Sequence, residues 1–252
     1  IGKAGADEAG DRAEKWMQES GVDTSGLLRT VEARTGQGIR IMGPDGKHIC
    51  ICGESCSWTL TEQEVIRELD MRAGARFFFT GLEIRLSLAL AALKHAKSLG
   101  MTTVFNLSPV PLGESIGDLS FVDYLAVNEV EGAQLAGIGD WHEMSLPEIT
   151  ERIQEKYRCG CVILTLGADG CAIRKEDKFA HLPGAHVETI DTIGAGDGFL
   201  SAFTVNLLWG KSVSDACRWA NEYAAYTTTR EGSIPSYPML ADIEAYMKER
   251  LK

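Results

Sequence analysis

The residues best suited to chemistry form one short segment, Asp191-Thr192-Ile193-Gly194-Ala195-Gly196-Asp197. Gly194, Ala195 and Gly196 provide flexible backbone immediately before an apolar stretch that predicts a helix. The free N–H groups at a helix N-terminus attract anions, and the helix dipole adds to that attraction. Asp197 would lie beside the anion, where a carboxylate can accept the proton of an attacking hydroxyl. The spacing alone also fits an aspartate that simply caps a helix.

Two other segments have residue types suited to binding phosphate or nucleotide. Asn128 and Glu131 are three residues apart at the start of a predicted helix, so they would face the same way and could hold a hydrated Mg²⁺. The stretch Thr165–Gly170 follows a buried strand, and its two glycines would let the backbone approach a nucleotide closely. Ordinary alternatives remain, because a first-turn glutamate compensates the helix dipole and paired glycines form a β-turn.

The segment Asp191–Asp197 resembles the D-T-x-G-A-G-D signature of the ribokinase-like (phosphofructokinase B-type) carbohydrate kinases, and the resemblance runs over essentially the whole chain. It implies that Asp197 is the catalytic base and contacts the sugar, and that Gly194, Ala195 and Gly196 form an anion hole. The implied reaction transfers the ATP γ-phosphoryl group to a sugar hydroxyl, with D-ribose to D-ribose 5-phosphate as the leading expectation. Family members often have Ser or Thr where this chain has Gly198.

The resemblance leaves alternatives to a ribose-phosphorylating enzyme. One is another sugar or nucleoside kinase of the same family, such as a fructokinase, a ketodeoxygluconate kinase or an adenosine kinase. The other is a non-catalytic remnant that binds nucleotide without turnover. A Rossmann dehydrogenase is disfavoured, because no G-x-G-x-x-G follows an early strand with an acidic residue downstream.

The resemblance also implies sites for ATP, Mg²⁺ and a monovalent cation, K⁺. Asn128-Glu129-Val130-Glu131 resembles the family's N-x-x-E motif, in which Glu131 helps to organise Mg²⁺. The expected nucleotide-binding residues are Asn128, Thr165, Leu166, Gly167, Ala168, Asp169, Gly170, Gly196 and Asn221. The expected cation ligands are oxygen atoms of Asp191, Ile193, Thr227, Arg230, Gly232 and Ser236. Oxygen-only ligands suit a hard alkali cation.

Glu83 is the expected sugar-binding residue, because it resembles an acidic residue that hydrogen-bonds sugar hydroxyls in the family. It follows the predicted strand Arg76–Thr80 and would start a helix over Leu82–Leu99. A carboxylate there would accept hydrogen bonds from two hydroxyls. The alternative is an exposed glutamate in a first helical turn.

The elements that must position these residues alternate between strand and helix. Strands are predicted at Thr102–Phe105, Tyr124–Val127 and Cys161–Leu166, with helices between or after them. This alternation predicts the α/β class, with a doubly wound, mostly parallel sheet flanked by helices. Thr35–Ile41 and Lys47–Cys52 flank the turn Gly43-Pro44-Asp45-Gly46, so residues 31–56 are interpreted as a small, partial β lid. The expectation is a single kinase domain over residues 1–252.

Bulk properties limit the partners. The 252 residues carry a formal net charge of −11, which disfavours nucleic acid but not a nucleotide, whose phosphates can be bound by backbone N–H groups. The expected partners are therefore a small sugar and ATP. No membrane-spanning run or signal peptide is visible, and the seven cysteines do not suggest a disulfide framework, so a cytoplasmic location is expected.

The chain begins at Ile1-Gly2-Lys3 without a methionine. The family's N-terminal sugar-binding strand and its G-G-K-G-x-N-type motif are not in the sequence. We therefore expect an N-terminally truncated kinase domain whose ATP and catalytic half is complete and whose sugar binding is impaired. The lid is expected to form a homodimer in the full-length protein.

Overall fold

A computed structural model describes residues 1–42, 48–53, 55–111 and 113–250. These residues fall into two compact units. The first unit comprises Ile1–Ala75 and Leu82–Gly100, and the second comprises Arg76–Gly81 and Met101–Lys252. The expectation of a single kinase domain over residues 1–252 stays a prediction.

The first unit contains a small βαβ motif. Strands β1 (Gly2–Gly5) and β2 (Leu27–Thr30) pair in parallel and are connected by helix α1 (Glu8–Glu19). Asp7 caps α1 through the N–H of Gly10, and it also accepts hydrogen bonds from the N–H and hydroxyl groups of Thr35. These contacts lower the pKa of Asp7 to about 2. The cap thus anchors the segment that leads to the predicted lid.

Four further elements complete the first unit. Strands β3 (Gly38–Met42) and β4 (His48–Cys52) pair antiparallel, with Ile39 opposite Ile51 and Ile41 opposite Ile49. The predicted turn Gly43–Gly46 lies outside the described residues. Helix α2 (Glu62–Asp70) begins with a capping box between Thr61 and Glu64, and helix α3 (Leu86–Ser98) packs against it.

The second unit is built on a six-stranded sheet with the order β10-β9-β8-β7-β6-β5. Strands β5 to β8 run parallel, and β9 and β10 form an antiparallel edge. The bounds are β5 Phe77–Thr80, β6 Thr102–Asn106, β7 Tyr124–Asn128, β8 Cys161–Thr165, β9 Cys171–Lys175 and β10 Lys178–Leu182. The predicted α/β class and mostly parallel sheet are confirmed.

Helices cover both faces of this sheet, as alternate residues of β8 demonstrate. Ile163 belongs to a core cluster with Phe199 and Phe203, whereas Leu164 lies against Gly132 on the opposite face. A side chain at Gly132 would collide with Leu164, so the helix approaches the strand closely there. The helices of this unit are α4 Glu129–Ala136, α5 Leu146–Tyr157, α6 Ala195–Leu208, α7 Val213–Thr228 and α8 Leu240–Arg250.

Candidate active site

The segment Asp191–Asp197 forms the turn that leads into α6. Gly194 is the N-cap residue and has φ 76°, a left-handed conformation that favours glycine. The N–H of Ala195 bonds to the carbonyl of Thr192, and the N–H of Gly198 bonds to the carbonyl of Gly194. Within the described part of the chain, the N–H groups of Gly196 and Asp197 have no such acceptor. Their position at the helix start therefore suits an anion.

Asp197 lies in the first turn of α6, next to these N–H groups. Its side chain is exposed to solvent, yet the surrounding protein displaces part of its hydration and raises its pKa above the usual value of 3.8. A raised pKa makes a carboxylate a better proton acceptor. The turn thus combines an anion site with a candidate base.

A cavity of about 530 Å³ opens in front of this turn, a size usual for a small-molecule ligand. Most of the predicted nucleotide-binding residues line it: Asn128, Thr165, Gly167, Ala168, Gly170, Gly196 and Asn221. Leu166 is buried, and the carbonyl of Asp169 is 2.9 Å from His181 Nε2; neither residue is among those lining the described cavity. The structure therefore brings together segments that are more than 90 residues apart in sequence.

Asn128 and Glu131 are arranged as a reciprocal helix cap on α4. The Asn128 side chain accepts the N–H of Glu131 at 2.9 Å, and one Glu131 oxygen accepts the N–H of Asn128 at 2.9 Å. The other Glu131 oxygen accepts the hydroxyl of Ser108. Glu131 is buried, so its carboxylate serves first to fix the end of β7 and the start of α4.

The Thr165–Gly170 turn forms the cavity wall after β8. Gly167 and Gly170 both have positive φ, 56° and 88°. A side chain at Gly170 would collide with the backbone of Leu182 and Gly184, so two loops meet here backbone to backbone. Both glycines are therefore required by conformation, and the second also by close packing.

Asn221 also lines the cavity. Its side-chain amide is buried and donates to the carbonyls of Leu182 and Pro183 at 3.2 and 3.1 Å. These bonds fix the segment that follows β10, which lines the cavity too. Asn221 therefore shapes the cavity at least in part by positioning this segment.

The predicted cation ligands lie on two segments that Asp191 connects. Its carboxylate accepts the N–H of Ile193 and the N–H of Gly232, each at 3.0 Å. The carbonyl of Thr228 accepts the N–H groups of Ile190 and Asp191 at 2.7 and 3.1 Å. The loop before α6 is thus tied to the segment after α7.

The remaining cation-site residues are buried or anchored nearby. Thr227 and Ser236 are buried, and the Ser236 hydroxyl donates to the carbonyl of Ser233. The Arg230 guanidinium lies over the Tyr226 ring at 4.2 Å, so only its backbone carbonyl is offered as a ligand. These buried oxygen donors fit a monovalent cation.

Glu83 belongs to the first unit, whereas the cavity lies in the second. It is exposed and lies in the loop before α3. The prediction that the helix begins at Leu82 is wrong, because Arg85 has the extended backbone of an N-cap and α3 begins at Leu86. Glu83 is consequently not a first-turn residue.

The sequence interpretation missed several cavity residues. One group follows β10 and includes Gly184, Ala185, His186 and Val187. The other group, Ala224, Ala225 and Thr228, lies on α7 at three, four and seven residues beyond Asn221. That helical spacing was available as a signal once Asn221 was assigned to the cavity. The first group had no comparable signal, because its position depends on contacts between loops.

This mostly parallel sheet, with a cavity at a glycine-rich helix start and a candidate base beside it, has the arrangement that an α/β phosphoryl-transfer enzyme needs. Residues 1–240 match the model of the pfkB family carbohydrate kinases, and the chain belongs to that family. It is accordingly a carbohydrate kinase, a phosphotransferase. No helix in the described part of the chain is long and apolar enough to cross a membrane.

Individual relatives agree with this assignment. A Staphylococcus aureus ribokinase is 29% identical over 245 residues, which cover 96% of this chain and 80% of that protein. A probable fructokinase-5 from Arabidopsis thaliana is 28% identical over 276 residues, covering 100% of this chain and 83% of that protein. The structure of an Arabidopsis thaliana ribokinase complexed with ribose and ATP superimposes with a TM-score of 0.86 at 22% identity, covering 98% and 81% of the two chains.

Proposed function

We propose that this kinase transfers the γ-phosphoryl group of ATP to a hydroxyl of a pentose, converting D-ribose to D-ribose 5-phosphate, with Asp197 as the general base. The observation that carries the proposal is the cavity that runs between Asn128, the Thr165–Gly170 turn and Asn221 and ends at Gly196, beside Asp197. Such a site can hold a nucleotide with its phosphates directed at the free N–H groups of α6.

The mechanism follows from the groups at the start of α6. The hydroxyl oxygen of the sugar forms a bond to the γ-phosphorus, and Asp197 accepts the proton of that hydroxyl. The bond between the γ-phosphorus and the oxygen of the β-phosphate breaks, which releases ADP. The N–H groups of Gly196 and Asp197 stabilise the negative charge on the transferring group. Gly194 fixes their direction, because its left-handed conformation sets the turn.

Mg²⁺ would partly neutralise the charge of the ATP phosphates when bound. Both oxygens of Glu131 already accept hydrogen bonds, from Asn128 and Ser108. The fit is therefore to a hydrated ion, whose water molecules the carboxylate and the Asn128 amide would orient. For K⁺, the buried oxygen atoms around Asp191, Thr227 and Ser236 would hold the ion and so stabilise the anion-hole turn.

Ribose and fructose are the two candidate phosphoryl acceptors. The first-named relative is a ribokinase at 29% identity, but a fructokinase is nearly as similar, at 28%. The Arabidopsis ribokinase of similar fold was solved with ribose and ATP. We assign Glu83 to the sugar hydroxyls as part of the same proposal. Fructose is the second candidate acceptor, and the two are distinguished by direct comparison of kcat/KM.

We also propose that the β3–β4 pair forms a homodimer interface. Ile39, Ile41, Ile49 and Ile51 are more than half exposed, and the antiparallel register sets them opposite one another in two pairs. Four exposed isoleucines on one face of a two-stranded ribbon form an apolar surface that a second copy could cover. This proposal concerns the lid predicted at residues 31–56.

The experiment that tests the function uses purified protein with ATP, Mg²⁺ and K⁺, and measures ADP release with D-ribose and with D-fructose. Asp197→Asn should lower kcat by about 10²- to 10⁴-fold, the usual contribution of a general base. Asp177→Asn, an exposed aspartate in the β9–β10 turn, is the matched control and should keep full activity. Thermal stabilisation by ATP should persist in both variants.

Full activity of the Asp197→Asn protein would refute the assigned base. A higher kcat/KM for fructose than for ribose would make fructose the preferred acceptor. Stabilisation by ATP–Mg²⁺ without phosphorylation of any sugar would favour the non-catalytic alternative for this chain.

A further inference from the structure

Gly198, the second residue after Gly196 on α6, is a glycine for a reason that lies outside its own helix. It is buried in the first turn, and its φ is not in the left-handed region. An added Cβ would lie 3.2 Å from Cε1 of Tyr223 and 3.4 Å from Cε1 of Tyr237. The contact with Tyr223 is tight, whereas the contact with Tyr237 is of ordinary van der Waals length, so Tyr223 rather than Tyr237 limits the space at position 198.

Tyr237 also contacts the turn that directs the anion-binding N–H groups. Its hydroxyl donates to the carbonyl of Gly194 at 3.1 Å. A Cβ on Gly194 would approach that hydroxyl to 2.5 Å and Cβ of Ser233 to 2.9 Å. Position 194 therefore needs glycine for two reasons: its backbone is left-handed, and the Tyr237 hydroxyl leaves no room for a Cβ.

The environment keeps the Tyr237 hydroxyl protonated. Burial, the charge of Asp197 and the neighbouring Tyr223 raise the pKa of Tyr237 to about 12. The hydroxyl therefore remains a hydrogen-bond donor throughout the pH range in which a kinase works.

We propose that Tyr237 is a positioning residue for phosphoryl transfer, which fixes the Gly194 carbonyl and thereby the N–H groups of Gly196 and Asp197. The inference rests on the proposed role of Asp197, because the turn matters to the rate only if it serves the reacting phosphate.

The first test is Tyr237→Phe, which keeps the ring and removes only the donor. Loss of one hydrogen bond to the turn should lower kcat about two- to ten-fold, with little change in KM for ATP or sugar. Tyr157→Phe, on α5 and outside the residues that line the described cavity, is the control and should leave kcat unchanged. An unchanged kcat in Tyr237→Phe would overturn the role of the hydroxyl.

The second test separates the hydroxyl of Tyr237 from its ring. Tyr237→Leu removes both, so kcat should fall at least as far as in Tyr237→Phe, which loses only the hydrogen bond to Gly194. The melting temperature of each variant, measured in parallel, shows whether the protein is folded at the assay temperature.

A kcat that falls in Tyr237→Leu but not in Tyr237→Phe would refute the role of the hydroxyl. Failure of the proposed function is distinguished by Asp197→Asn. If that variant keeps full activity, the base is misassigned whatever Tyr237 does. If it is inactive while Tyr237→Phe keeps full kcat, only the positioning role fails.

Discussion

The contacts of the Asp191 carboxylate allow the loss of stability caused by Asp191→Asn to be estimated. It is buried, at 8% exposure, and accepts two backbone N–H groups at 3.0 Å, one from Ile193 and one from Gly232. The first bond closes a local turn in the loop before α6, and the second joins that loop to the segment after α7. Asp191→Asn keeps the shape of the side chain but leaves only one of its two acceptor oxygens.

The amide NH₂ of the new asparagine would face a backbone N–H, so one charge-assisted hydrogen bond is lost, worth about 1.5–3 kcal/mol. The other bond becomes neutral and loses about 1 kcal/mol more. The sum is about 2.5–4 kcal/mol. For a domain of this size each kcal/mol lowers the melting temperature by about 2–4 °C, so the expected decrease is about 5–16 °C.

The assay is thermal unfolding in NaCl and in KCl at equal ionic strength, combined with activity as a function of K⁺ concentration. If Asp191 belongs to the proposed cation site, K⁺ should raise the melting temperature and the rate of the parent protein, and the variant should need a higher K⁺ concentration. Asp177→Asn is the control, because that aspartate is exposed in the β9–β10 turn.

A change in melting temperature below about 1 °C would refute the connection between the two segments, since it would leave no room for even one lost bond of about 1.5 kcal/mol. A large decrease with an unchanged response to K⁺ would retain the connection and refute the cation assignment. Both results are interpretable without an assumption about the sugar.

Three other predictions follow from the site and the lid. Because desolvation raises the pKa of Asp197, activity should fall as the pH drops through a value above 3.8, measured as the acid limb of kcat/KM. A raised pKa also means that the charged carboxylate does not stabilise the fold, so Asp197→Asn should not lower the melting temperature at neutral pH. Asn221→Ala removes both bonds to residues 182 and 183, so KM for ATP should rise about five-fold or more while kcat changes less; an unchanged KM would contradict its positioning role. Ile49→Glu should yield monomers by light scattering, whereas the control Met71→Glu, at a similarly exposed residue of the first unit, should not; a monomeric parent would refute the dimer.

The parts of the fold that could be predicted from the sequence are those with a local signal. The start of helix α4 was predicted, because Asn128 and Glu131 cap it, and the helix ends at Gly137, which has positive φ. Strand β8 was predicted to within one residue, because its residues are continuously apolar. Helix α2 was missed although Thr61 and Glu64 have capping-box spacing, and β2 was missed because four residues gain strand structure only by pairing with β1.

The candidate site likewise combines residues that have a local sequence signal with residues that do not. The glycines of the Asp191–Asp197 turn were recognisable in the sequence, because Gly194 adopts a left-handed conformation that favours glycine. Tyr237 was not, because its importance arises when a segment 40 residues later returns to the carbonyl of Gly194. Loop-to-loop contacts of this kind depend on tertiary packing, for which a single sequence has no short-range pattern.

Glu131 shows why finding a motif differs from knowing what its residues do. The sequence correctly placed Asn128 and Glu131 together at a helix start, and two functions were open, a Mg²⁺ site and a helix cap. In the structure the cap uses the Asn128 side-chain oxygen and one Glu131 oxygen, and the other Glu131 oxygen accepts the hydroxyl of Ser108. Capping therefore limits the metal role to one exercised through water, rather than excluding it. Residue type and spacing predict where the groups meet, whereas the hydrogen bonds they already make determine what they can still bind.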